Sequence, residues 1–109
     1  MIEVRGIKFD FDAGRVKDAE LMEEAKPKLE AAFEVLKNPK GVKFSDLSDI
    51  TVNAVSALLG EDAPEKLLMD KERYVDCITI FADVATAVMA NQSEVNESLA
   101  KYSKSRLGQ

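Results

Sequence analysis

The residue types that most often carry catalysis are scarce in this chain of 109 residues. Histidine, the commonest general base and a frequent metal ligand, does not occur. Cys77 is the only cysteine, and it lies on an apolar helical stripe with no activating base evident nearby. We therefore interpret it as a core residue rather than a nucleophile. No glycine-rich phosphate loop is present either. The sequence predicts a protein that has no enzymatic activity and binds no cofactor or metal.

Two charged clusters raise the question of ion or nucleic-acid binding. The acidic cluster consists of Asp10, Asp12, Asp18, Glu20, Glu23 and Glu24. Its spacing matches no calcium loop, so solvated surface charge is the better interpretation. The basic cluster consists of Lys101, Lys104 and Arg106. It lacks interleaved aromatic residues apart from Tyr102, and the chain as a whole has a formal charge of -5. A solvated helix end is therefore favoured over a nucleic-acid contact.

Length and composition are typical of one small domain over residues 1–109. The apolar share is 46%, whereas aromatic residues make up only 6%, so the core must be built mainly from aliphatic side chains. No uninterrupted apolar run approaches about 18 residues, and the N-terminus shows no signal pattern, so no membrane contact is expected. A single cysteine cannot form an internal disulfide. Together these features predict a cytoplasmic protein.

Residues 1–11 alternate between apolar and polar side chains, with Arg5-Gly6 in the middle. A two-residue turn there would place the apolar residues opposite one another on one face, and Glu3 opposite Lys8 on the other. A bulged turn at the glycine is the alternative. An isolated hairpin is marginally stable in water, so it must lie on the helices that follow.

Helical spacing of apolar residues covers most of the remaining chain. The predicted helices are residues 15–37, 45–59, 63–69 and 71–105. Pro27 removes one backbone hydrogen bond from the first helix, so a kink or a restart is expected there. The candidate capping residues are Asp12 or Asp18, Ser45 or Asp46, Gly60 and Asp62. The predicted fold is mainly α with a short N-terminal β-hairpin and a long C-terminal helix.

The apolar stripe of the last helix is longer than a domain of this size can easily cover. Its first part consists of Tyr74, Cys77, Ile78, Phe81, Val84, Ala85 and Val88. After a polar step at residues 91–93, the stripe resumes at Val95, Leu99 and Tyr102. A continuous helix would be roughly 50 Å long, whereas a compact domain has a radius of gyration of about 13 Å. Either the helix breaks or bends near Asn91, or its end reaches past the core.

The second part of the stripe is the candidate site. If the helix end folds back on the domain, Val95, Leu99 and Tyr102 are ordinary core. If it reaches past the core, they form an apolar strip that binds a partner protein or a second copy of the chain. We predict partner binding at these three residues.

Four segments, taken in order along the chain, suggest a family. They are Phe9-Asp10-Phe11, Lys17-Asp18-Ala19-Glu20, the segment 58–63 before a short helix, and Cys77 ahead of Phe81. This series resembles the small tail-assembly-chaperone-like proteins of long-tailed phages and Gram-positive prophages. The resemblance implies a non-enzymatic protein of the host cytoplasm. It would bind the tape-measure protein, or tail-tube subunits, and keep them soluble until the tail assembles.

Two other binding functions are consistent with the sequence. One is a structural head-tail adaptor that remains in the finished particle. The other is a small regulator whose acidic surface mimics nucleic acid or binds a basic partner. All three functions predict a protein partner and no catalytic residues.

Overall fold

The computed structural model describes residues 1–107, with side chains described as far as Tyr102. The elements are β1 (Ile2–Val4), β2 (Ile7–Phe9), α1 (Val16–Lys37), α2 (Phe44–Leu59), α3 (Ala63–Lys66) and α4 (Tyr74–Leu107). The prediction of a mainly α fold with a short N-terminal hairpin and a long last helix is confirmed.

The hairpin has the predicted turn and register. Arg5 and Gly6 have φ values of 52° and 83°, and positive φ at both central residues is the mark of a type I′ turn. Ile2 pairs with Phe9, Glu3 with Lys8, and Val4 with Ile7. The Arg5 guanidinium bonds to the Asp83 carboxylate of α4 at 3.0 Å, so the tip of the turn is tied to the long helix.

Several helix ends differ from the prediction. α1 runs unbroken through Pro27, so the expected restart does not occur. The residues before α1 and α2 are Arg15 and Lys43, and neither makes a side-chain cap, so the four acidic or hydroxyl caps proposed for these helices are wrong. Gly60 ends α2 as predicted, with a φ of 106°.

The segment between α2 and α4 is less helical than predicted. α3 ends at Lys66 rather than at residue 69, and α4 begins at Tyr74 rather than at residue 71. Residues 70–73 form a backbone turn before α4, in which the Asp70 carbonyl accepts a hydrogen bond from the Arg73 N–H at 2.8 Å. This turn explains why α4 begins later than predicted.

The core lies around α2, which packs against α1 on one side and α4 on the other, while β1 packs on α4. Phe81 of α4 is completely buried at its centre, and its ring meets Phe33 of α1 edge-on with the ring centroids 5.4 Å apart. The apolar face of the hairpin joins the same continuous cluster through Ile2 and Phe9.

The long helix reaches past this core. α4 is helical without interruption over Tyr74–Leu107, so the alternative of a break near Asn91 is wrong. Its first half is buried through Phe81, Val84 and Val88, whereas Leu99 on the second half is exposed. The molecule measures 56 × 28 × 20 Å and has a radius of gyration of 15.6 Å. A compact chain of this length would have a radius of gyration of about 13 Å, so the molecule is distinctly elongated.

Candidate functional site

Asn91 fastens α4 to the rest of the protein at the point where the helix leaves the core. Its side-chain Oδ1 accepts a hydrogen bond at 2.7 Å from the backbone N–H of Ala13, which lies in the loop between β2 and α1. One turn further along α4, Val95 lies against Gly14, where an added Cβ would come within 3.4 Å of Val95 Cγ2. The polar step in the stripe is therefore an attachment to this loop and not a helix break.

The loop that holds Asn91 is itself held by a buried carboxylate. Asp18 Oδ2 accepts hydrogen bonds from the Asp12 N–H at 3.0 Å and from Arg15 Nε at 2.8 Å. Arg15 also donates to the Asp10 carbonyl at 2.9 Å. Asp18 is buried and lies in the first turn of α1, where the helix dipole favours a negative charge. This network fixes the loop and, through Ala13, the start of the overhanging part of α4.

A groove runs between α1 and the second half of α4. Both helices pack on α2, but they approach each other less closely than either approaches α2. The resulting space contains a cavity of about 460 Å³ lined by Met22 and Leu29 of α1 and by Val95 and Leu99 of α4. A second cavity of about 560 Å³ follows further along, lined by Phe33, Leu36, Lys37 and Met89. We call this surface the α1–α4 groove.

The predicted site residues divide between the groove and the helix end. Val95 is half-buried and Leu99 is 59% exposed, and both line the groove. Tyr102 is 60% exposed and lines neither cavity of the groove. Leu99 is therefore not a buried core residue, whereas Val95 is partly covered by Gly14. That these residues bind a partner stays a prediction.

The α1 wall of the groove was not predicted from the sequence. Ala25, Ala32 and Val35 of this helix are buried. Met22 and Leu29 are partly buried, because they pack against the core cluster and also line the groove. The width of the apolar surface on α1 was the available signal, because one stripe suffices for packing on a single neighbour.

Other large apolar side chains are exposed outside the groove. Leu68 follows α3 with a φ of 59°, a left-handed conformation that is strained for leucine, and its side chain is exposed. Phe44 stacks on Tyr74 with the ring centroids 4.7 Å apart. Neither residue lines the groove.

Cys77 is a core residue, as predicted. Its side chain is completely buried, and the thiol donates a hydrogen bond to the Asp70 carbonyl with Sγ and O 3.2 Å apart. Burial raises the pKa of the Cys77 thiol, and the nearby Asp70 and Asp76 carboxylates act in the same direction. The protonated thiol is therefore favoured, whereas nucleophilic attack needs the thiolate.

We expect the Cys77 thiol of the native protein to react with dithionitrobenzoate far more slowly than a free thiol at pH 8. The reason is that the sulfur is both inaccessible and protonated. The measurement is the release of the coloured product with time, and the protein unfolded in urea is the control that should react at once. Equally rapid reaction of the native protein would contradict the burial of Cys77.

The acidic cluster does not form a metal site in the part of the chain that the structure describes. No group of three or more His, Cys, Asp or Glu side chains is placed to hold an ion among these residues. Asp10 and Asp18 are instead paired with Arg15. In the basic cluster Lys101 is exposed, and the side chains of Lys104 and Arg106 lie outside the described residues.

One helix is long and apolar enough to cross a membrane if length and composition alone are considered. It is the segment Tyr74–Tyr102 of α4. A core helix can pass the same test, and the apolar side of α4 at Phe81, Val84 and Val88 is buried in this fold. The test is therefore weak evidence for a membrane span.

A protein-family model matches residues 5–109, which is nearly the whole chain. The chain belongs to DUF6673, a family of unknown function. No curated protein and no solved structure matches the chain. The region shared with DUF6673 includes both walls of the α1–α4 groove.

Proposed function

We propose that this protein is a non-enzymatic, protein-binding tail-assembly chaperone of a phage or prophage. Its clients would be the tape-measure protein or the tail-tube protein, which it would hold in the host cytoplasm until assembly. The observation that carries the proposal is the apolar groove beside the overhanging end of α4, where Leu99 is exposed. The sequence resemblance to tail-assembly-chaperone-like proteins supplies the class of client.

The physical requirements of such a chaperone fit this molecule. A protein that keeps an apolar client in solution must expose apolar surface and yet remain soluble itself. Covering a side chain such as Leu99 completely contributes about 1.5–3 kcal/mol to association. The formal charge of -5 opposes aggregation of the free protein.

The direct test is co-expression with the tape-measure protein encoded in the same phage or prophage genome. We expect the wild-type protein to raise the soluble fraction of the tape-measure protein, and the Leu99→Lys variant to lose most of that effect. A lysine at this position places a charge in the apolar contact, where it cannot be solvated without cost. The measurement is the amount of tape-measure protein in the cleared lysate and in the purified complex.

Val75→Lys is the matched control. Val75 lies on the same helix and is 53% exposed, but it is at the other end of α4 and does not line the groove. It should leave client recovery unchanged, and both variants should unfold at nearly the wild-type temperature. If the wild-type protein rescues neither tape-measure nor tail-tube protein, the proposal is wrong. Recovery of the chain in purified particles would favour a head-tail adaptor, and strong salt dependence of partner binding would favour an acidic regulator.

A further inference from the structure

Both walls of the α1–α4 groove repeat at helical steps. On α1 the wall consists of Ala19, Met22, Glu23, Lys26, Leu29, Phe33, Leu36 and Lys37. On α4 it consists of Met89, Gln92, Val95, Asn96 and Leu99. Steps of three and four residues are the spacing with which two helices present side chains to a third. An α-helix laid along the groove repeats at the same steps as both walls, so its side chains can pack between theirs.

The two cavities form one continuous groove. Leu29 lies in the first cavity and Phe33, one turn along α1, in the second. Gln92 and Met89 are likewise one turn apart on α4. The α1 wall from Ala19 to Leu36 is about 25 Å long at about 1.5 Å per residue, or about five helical turns. An occupant that fills both cavities must be a helix of similar length.

Three charged side chains line the groove. Lys26 and Glu23 of α1 lie in the first cavity, with Gln92 and Asn96 on the opposite wall, and Lys37 lies in the second cavity. Within the described residues Lys26 makes no salt bridge, and its side chain is exposed. Two lysines and one glutamate line the two cavities, so the groove carries a net positive charge, and a carboxylate on the occupant complements the Lys26 ammonium.

We propose that the α1–α4 groove binds a single amphipathic α-helix of the client, with apolar residues towards both ends and an acidic residue opposite Lys26. This inference rests on the proposed function and names the chemistry of the segment that the site recognises. Leu99 and Met22 contact one apolar half of the bound helix, and Phe33 and Met89 contact the other.

A second copy of this chain is a poorer fit to the groove. Its helical strip of the half-buried Val95 and the exposed Leu99 and Tyr102 covers only about two turns, or about 11 Å, among the described residues. That length is less than half of the α1 wall, so a second copy would leave one apolar half of the groove uncovered. The long helix of a client covers both halves.

Fluorescence anisotropy with two labelled synthetic peptides tests the proposal on the full-length protein. Each peptide is an amphipathic helix of about 18 residues, which spans the groove at about 1.5 Å per residue. Both carry leucines along one stripe, and the central stripe position is Glu in one peptide and Lys in the other. We expect the Glu peptide to bind the wild-type protein at least about tenfold more tightly than the Lys peptide, because like charges repel in the centre of the contact.

The Lys26→Glu variant should reverse that preference, whereas Lys28→Glu should leave it unchanged. Lys28 is the matched control because it is an exposed lysine of α1 that lies beside α2 and not in the groove. The reversal identifies Lys26 as the facing charge, since a variant that merely weakened the fold would lower the affinity for both peptides equally.

Three results would overturn the proposal. The first is equal affinity of the wild-type protein for both peptides, and the second is a preference that Lys26→Glu does not alter. The third is a dimer, detected by sedimentation, that both Leu99→Lys and Lys26→Glu dissociate, because the occupant would then be a second copy. If tape-measure recovery depends on Leu99 but the peptide preference is absent, the binding mode is wrong and the proposed function stands. If the peptide preference is present but no tail protein is rescued, the proposed function is wrong and the helix-binding groove stands.

Discussion

Replacing Phe81 by alanine is expected to lower the free energy of unfolding by about 3–5 kcal/mol. Phe81 of α4 is completely buried in the core cluster and meets the ring of Phe33 on α1, so its loss leaves a cavity between the packed elements. Native domains are stable by only about 5–15 kcal/mol, so the variant should be close to unfolding at room temperature. Urea denaturation followed by circular dichroism measures the change directly.

Phe44→Ala is the matched control for this prediction. Phe44 is 66% exposed, and its main contact is the stacked ring of Tyr74. Its removal should cost less than about 1.5 kcal/mol, the upper value for an aromatic pair. Comparable losses from the two substitutions would show that Phe81 is not the centre of the core.

Replacing Asp18 by asparagine is expected to cost about 1–2 kcal/mol and to loosen the second half of α4. The substitution keeps the shape of the side chain but removes the charge that receives the Asp12 N–H and the Arg15 guanidinium. Charge-assisted hydrogen bonds are stronger than neutral ones. Arg15 is half-exposed, so solvent screening reduces the contribution of its ion pair with Asp18 to stability. Hydrogen exchange should show faster exchange at residues 92–100 than in the wild type.

The neighbouring carboxylate provides the control. Asp10 pairs with the same arginine but is exposed, so Asp10→Asn should change the free energy of unfolding by less than about 0.5 kcal/mol. Exchange at residues 92–100 should be as in the wild type. If Asp18→Asn left exchange in this segment unaltered, the Asp18 network would not control the position of α4.

The fold was predictable from the sequence wherever one local pattern had a single structural solution. The hairpin register followed from alternation and from the Glu3–Lys8 pair, because a slip by one residue would expose the whole apolar face. Gly60 marked the end of α2, because its φ of 106° is one that few other residues adopt. The long last helix followed from its periodic stripe.

The predictions that were wrong or incomplete concern residues whose contacts the local sequence pattern does not reveal. The polar residue Asn91 suggested a helix break, because the sequence pattern does not show that its partner is the backbone N–H of Ala13. Asp18 was predicted as a helix cap, whereas it accepts hydrogen bonds from Asp12 and Arg15 in a loop whose geometry no periodicity encodes. Of the groove residues, Val95 and Leu99 were predicted as a site, whereas Met22 and Leu29 were not, because they both pack against the core and line the groove.

The attachment at Asn91 has a mechanical consequence for binding. The second half of α4 projects beyond the core and is held near its base by Asn91, which bonds to Ala13, and by Val95, which lies against Gly14. Ala13 also lines the first cavity of the groove, so this loop both positions α4 and forms part of the surface. A groove whose width is fixed before association loses less ordering entropy when it is filled. Substitutions in this loop are therefore expected to change the affinity of the groove for its occupant.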